Sequence, residues 1–116
     1  MKVALVGCGH IHTPGFVKRL KERENVQVKY VWDHDEKRAT ENAGLLEAGA
    51  LSDVDVVWND ADVSAVVICS ETDRHESLIL EACRSKKDMF VEKPLGFGSD
   101  DAFRMADAIS EAGVRF

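Results

Sequence analysis

The residues best suited to chemistry fall in three short stretches. The first, Gly7-Cys8-Gly9-His10-Ile11-His12, follows directly on the apolar run from Lys2 to Val6. One glycine at this spacing permits a tight strand-to-helix turn, and the next lets an anionic group approach the backbone with no Cβ in the way. These are the first two positions of the dinucleotide fingerprint G-x-G-x-x-G, with His12 in place of the third glycine. The second stretch holds Asp33, about two dozen residues further on, where an acid would bond the ribose hydroxyls of a dinucleotide. The third is Glu92-Lys93-Pro94, which closes the run Met89 to Val91. A lysine at the carboxyl end of a parallel strand points into the crevice where open sheets bind ligands. Partial desolvation there would suit it to proton transfer.

Cys8, His10 and His12 can also be read as C-x-H-x-H, a soft donor set suited to zinc. The same residues lie on the turn that must close over a phosphate, and no fourth ligand is signposted. The expectation is therefore no metal. Cys69 and Cys83 sit on an apolar strand and an apolar helix stripe, as packing residues do. Three cysteines without a C-x-x-C pair give no disulfide scaffold and fit a reducing cytoplasm.

The elements that must position these groups alternate in type. Val3–Val6, Val26–Trp32, Ala65–Cys69 and Met89–Val91 have strand composition, and the segments between them carry apolar residues at helical spacing. Helices are predicted over Thr13–Arg23, Arg74–Lys86 and Ser99–Ala112. Asp73 with Glu76 gives a start resembling a capping box, Ser99 a cap, and Gly113 a stop. Asp35 should cap a helix running to about Glu47, followed by a very short strand at Ala50-Leu51. For residues 55–58 a helix begun by Asp53 competes with a strand favoured by Val56, Val57 and Trp58, and the helix is preferred. Such alternation implies a parallel, doubly wound α/β sheet, one dinucleotide-binding domain over residues 1–116. Gly113-Val114-Arg115-Phe116 looks like the opening of a sixth strand, so a fragment of a longer protein is expected.

Bulk composition narrows the partners. The chain has 116 residues, 45% hydrophobic and 31% charged, enough for one core but not two. A net charge of −6 offers no basic excess for nucleic acid or an anionic membrane. No apolar run is long enough for a signal peptide or a bilayer span, so a soluble cytoplasmic protein is expected.

With Ser70-Glu71-Thr72-Asp73-Arg74-His75 added to the glycine loop, Asp33 and Glu92-Lys93-Pro94, the whole chain resembles the Gfo/Idh/MocA family, the glucose–fructose oxidoreductase and inositol dehydrogenase group. The resemblance implies a Rossmann domain that binds NAD(P) and belongs to an oxidoreductase. That enzyme would move a hydride between the nicotinamide and a sugar, polyol or related hydroxy/oxo compound. It implies Lys93 as the catalytic residue and a cis Lys93–Pro94 bond. Gly7, Gly9, His10, Ile11, His12, Asp33, Ser70, Glu71, Thr72, His75, Glu92 and Lys93 would line the cofactor. It also implies a second α+β substrate domain, absent here, through which the family assembles as homo-oligomers. Without that domain the 116-residue chain should be inactive. Two departures stand out: His12 for the third glycine, and Glu71 where the family often has proline.

Asp33 would repel a 2′-phosphate that Lys37 and Arg38 could attract, so NAD is expected over NADP. His75 is placed equally well for a cofactor contact or for a water-facing position at a helix start. Two other classes share the glycines and the acid: a non-catalytic dinucleotide-binding or redox-sensing module, and an S-adenosylmethionine-dependent methyltransferase. A sensor would not need Lys93, and the Glu92-Lys93-Pro94 ending disfavours the methyltransferase.

Overall fold

The structure, a computed structural model, describes residues 1–116. Five parallel strands, β1 (Lys2–Val6), β2 (Gln27–Trp32), β3 (Gly49–Leu51), β4 (Ala65–Ile68) and β5 (Asp88–Val91), lie in the order β3-β2-β1-β4-β5. Between and after them run α1 (Thr13–Lys21), α2 (Glu36–Leu46), α3 (Asp55–Asn59), α4 (His75–Arg84) and α5 (Ser99–Ala112), with a 3₁₀ turn at Thr72–Arg74 leading into α4. Strand order reverses between β1 and β4, and that reversal opens a crevice at their carboxyl ends.

Side-chain alternation along β1 builds a core on each face of the sheet. Ala4 and Val6 join Val66, Ile68 and Met89 beneath α3, α4 and α5, where Val57, Leu78, Ile79 and Met105 are buried. Val3 and Leu5 turn the other way, to Val28, Val31, Val17 of α1 and Ala43 of α2. An irregularity in the β1–β2 register between Val3 and Ala4 leaves Lys29 as the extra residue of β2. Its Nζ reaches Asp60 at 2.6 Å, while Tyr30 and Trp32 pack against the α3–α5 side.

Residues 55–59 form a helix, not a strand. The Asp53 carboxylate accepts the Asp55 N–H at 2.9 Å, which starts the turn, and Val57 and Trp58 go into the core. Asp35 caps α2 as expected, accepting from the Lys37 and Arg38 N–H groups. Two predicted caps are corrected. The Asp73–Glu76 capping box does not form: α4 begins at His75, and Glu76 instead holds Arg104 of α5 with two hydrogen bonds, at 2.6 and 3.1 Å. Ser99 is the first residue of α5, not its cap. Asp101 does that work, accepting the N–H groups of Phe97 at 2.7 Å and Gly98 at 2.9 Å. Gly113 ends α5, and beyond it the Arg115 carbonyl accepts the Met89 N–H beside β5.

Candidate dinucleotide site

The glycine loop leaves β1 at the crevice and is clamped on both sides. Gly7 donates to the Trp32 carbonyl at 2.7 Å, Cys8 to Asp33 Oδ2 at 2.6 Å, and His10 to the Cys69 carbonyl at 2.9 Å. Gly7 has φ +83°, and a Cβ there would stand 2.5 Å from Ser70 Cβ and 2.7 Å from its Cα and N. The N–H groups of Gly9 and Ile11 donate to nothing in the chain. Two free N–H groups beside a bare glycine, at the start of α1, can take a pyrophosphate. The donor set therefore fits the anionic part of a dinucleotide.

A testable consequence concerns Gly7. Gly7→Ala combines a left-handed backbone with overpacking against Ser70, and should lower stability by about 2–5 kcal/mol. Gly15 lies in the first turn of α1, and a Cβ there would meet nothing within 4 Å. Gly15→Ala should be neutral or stabilise by up to about 1 kcal/mol. Chemical denaturation of both variants checks the pair, and equal stabilities would contradict the close approach.

Asp33 stands at the end of β2 as expected, and its carboxylate is buried among hydrogen-bond donors. It is 1% exposed. Oδ2 accepts from Cys8, while Oδ1 accepts from the Asp35 N–H at 2.7 Å and from Arg38 Nε and Nη2 at 3.1 and 2.9 Å. Three of the four donors fall on Oδ1, so Oδ2 keeps a second acceptor position, although the side chain has no exposed surface here. Arg38 also donates to Glu71 Oε1 at 2.7 Å. Glu71 lies directly over the loop, its carboxyl atoms 2.5–2.8 Å from where a Gly9 Cβ would be. Burial works against its charge, but backbone hydrogen bonding and the Arg38 guanidinium hold the carboxyl below its usual range.

The histidines are placed differently from expectation. Cys8 is buried in the α1–α2 core, and burial together with the Asp33 charge pushes its thiol up to about 12. The fold gathers Glu92 with His10 and His12 instead, their ligand atoms within 4.8 Å of one another. Within this group His12 Nδ1 meets Glu92 Oε1 at 2.9 Å, and His10 Nδ1 accepts the His12 N–H at 3.1 Å. The bond from His12 holds the Glu92 carboxyl below its usual range.

His75 is neither water-facing nor open to the crevice. It is wholly buried, and its ring spans the Ser70 carbonyl at 3.2 Å and the Leu95 carbonyl at 3.1 Å. It ties the loop after β4 to the loop after β5. Ser70 is buried against Gly7, and Thr72 opens the 3₁₀ turn. Lys93 follows β5 and is preceded by Glu92, whose N–H donates to the Ile68 carbonyl. The Lys93–Pro94 bond is cis, as the resemblance implied. The Lys93 side chain is exposed and makes no hydrogen bond or ion pair.

A parallel sheet with a glycine-lined, N–H-rich crevice at its switch point defines a nucleotide-binding α/β domain. The family model described as "Oxidoreductase family, NAD-binding Rossmann fold" matches residues 1–116, and the chain belongs to this Gfo/Idh/MocA family. It is 30% identical over 115 residues to the myo-inositol 2-dehydrogenase of Thermotoga maritima, covering 98% of this chain and 34% of that protein. It is 31% identical over 114 residues to inositol 2-dehydrogenase 2 of Saccharopolyspora erythraea, covering 97% and 34%. A solved structure of a putative myo-inositol dehydrogenase from Sinorhizobium meliloti superposes with TM-score 0.91 at 26% identity, over 99% of this chain and 34% of that one. The chain thus spans about a third of the length of these relatives. No helix is long and apolar enough to cross a membrane.

Proposed function

We propose that this domain holds the dinucleotide of an enzyme that transfers a hydride between NAD and a hydroxyl-bearing carbon of a sugar, inositol or related polyol. The observation that carries the reading is the shared rim. The free N–H groups of Gly9 and Ile11 and the unpaired ammonium of Lys93 lie at the carboxyl ends of β1 and β5 in one parallel sheet. A bound nicotinamide dinucleotide supplies the hydride acceptor or donor. The N–H groups of Gly9 and Ile11 bind its pyrophosphate on the turn that Gly7 makes, and Ser70, Thr72 and Glu92 shape the wall. Lys93 moves the proton of the reacting hydroxyl, and His75 keeps the loops carrying Ser70 and Leu95 in register.

The inositol class of substrate is supported by the names of the relatives, and the substrate contacts belong to a second domain that also carries homo-oligomer assembly. No metal takes part in this reading. The test is the full-length protein with NAD or NADP and a panel of inositols and pyranoses, followed by the absorbance of the reduced nicotinamide. Turnover of at least one polyol supports the reading. Dinucleotide binding without turnover across the panel would return the protein to a non-catalytic sensing role. Failure to bind either dinucleotide would refute it.

A further inference from the structure

We infer that His12, which stands where the dinucleotide fingerprint has its third glycine, is a positioning residue for Lys93, acting through the Glu92 carboxylate. The inference rests on the dinucleotide reading above. His12 immediately precedes α1, yet its side chain makes no capping hydrogen bond with that helix. It reaches the end of β5 instead, where Nδ1 meets Glu92 Oε1 at 2.9 Å across 80 residues of sequence. A glycine at this position has no side chain to make that contact. His10 steadies the ring: its Nδ1 accepts the His12 N–H at 3.1 Å, and the two rings stand edge to face with centroids 4.9 Å apart.

Glu92 needs such a partner. It is buried, and a carboxylate taken out of water is costly unless hydrogen bonds or charges compensate. The His12 bond does most to hold its carboxyl below the usual range against burial, with His10 and the Lys93 backbone N–H adding to it. The Glu92 backbone is fixed separately, its N–H donating to the Ile68 carbonyl. Lys93 therefore follows a residue whose backbone is tied to β4 and whose side chain is tied to the glycine loop. Its own side chain makes no hydrogen bond or ion pair, so its placement depends on that neighbour. The free Ile11 N–H lies between His10 and His12 in the same short stretch. Pyrophosphate on Ile11 and the lysine after β5 are thus joined through His12 and Glu92. His10, His12 and Glu92 are also a candidate metal cluster, their ligand atoms lying within 4.8 Å of one another, and the same variants separate a metal centre from a hydrogen-bonded brace.

Two variants of the full-length protein divide the ring from its N–H. His12→Phe keeps a ring against His10 and loses the donor. His12→Asn loses the ring but carries an amide N–H as many bonds from the backbone as Nδ1. At saturating NAD and the polyol that wild type turns over, His12→Phe should lower turnover by about tenfold or more, because small misplacements of a reacting group are costly, and His12→Asn should restore most of it. In a Glu92→Ala background His12→Phe should cost nothing further, since two partners of one contact do not add. Melting temperatures should stay near wild type; if His12→Phe does not fold, His12→Ala takes its place with the same expectations. Full rate in His12→Phe, additive losses in the double variant, or His12→Asn as slow as His12→Phe would each overturn the inference while leaving the parent reading intact. So would an equivalent of zinc in the purified protein that both His12 variants lose. Wild-type protein that turns over no polyol would overturn both.

Discussion

Lys93→Ala in the full-length protein should lower turnover by about 10²–10⁴-fold, the span of a general acid–base group. Its affinity for the dinucleotide should change little. Both halves of this expectation come from where Lys93 sits. It lies beyond β5, exposed, with no hydrogen bond or ion pair to lose, so removing its ammonium leaves the fold and the glycine loop untouched. The groups suited to the pyrophosphate are the backbone N–H groups of Gly9 and Ile11, and not the Lys93 ammonium. The melting temperature should also match wild type. Steady-state rates at saturating dinucleotide, with a separate titration of NAD, read the three quantities. A Lys93→Ala enzyme at full rate would remove Lys93 from the chemistry. One with normal rate at saturation but weakened NAD binding would make the lysine a cofactor contact.

The architecture was legible because each element announces itself locally. Near-continuous apolar runs such as Ala65–Ile68 are what a strand covered on both faces requires, and α2 and α5 carry acids in their first turns. Residues 55–59 were harder. Val56, Val57 and Trp58 favour a strand by propensity, yet the Asp53 carboxylate starts a helical turn and the α3–α5 core accepts Val57 and Trp58 from it. The Asp73–Glu76 pattern misled for a related reason. Glu76 takes a bidentate ion pair with Arg104, 28 residues away, in preference to a local cap. No window around residue 76 contains that partner.

The site was legible in its places and less so in its contacts. Gly7, Gly9 and Lys93 lie where strand ends put them, since a glycine loop after β1 and a lysine after β5 follow from order along the chain. Asp33 also lies where expected, but the burial of its carboxylate was not legible. Arg38, five residues later, folds back from the first turn of α2 and closes it. The only sequence signal for that closure was the pairing of an acid and an arginine at this separation, which local charge patterns do not single out. His75 was open between two surface roles and took neither, because its ring is fixed by carbonyls from two different loops. For Glu71 the departure from proline was visible, while its approach to Gly9 and Arg38 depends on strands β1, β2 and β4 lying side by side.

Residues 1–116 prepared alone should bind the dinucleotide yet turn over no sugar or polyol at a useful rate. The glycine loop, the β4 loop and the loop after β5 lie within these residues. The proposed substrate contacts lie in the second domain. Lys93 is exposed, and the nearby Phe97 is 76% exposed, so this side of the crevice has no opposing wall within these residues. Holding reactants in a near-attack geometry contributes about 7–11 kcal/mol in favourable cases. A general acid–base group contributes about 10²–10⁴-fold, or roughly 3–5 kcal/mol at 1.36 kcal/mol per tenfold. The second cannot make good the loss of the first, and an ammonium in open water has no fixed hydroxyl to act on. Rates of the full-length protein and of residues 1–116, each saturated with NAD, decide the matter, with calorimetry confirming that the shorter chain is folded and loaded. A loaded 1–116 chain within tenfold of the full-length rate would place the substrate-holding surface in this domain.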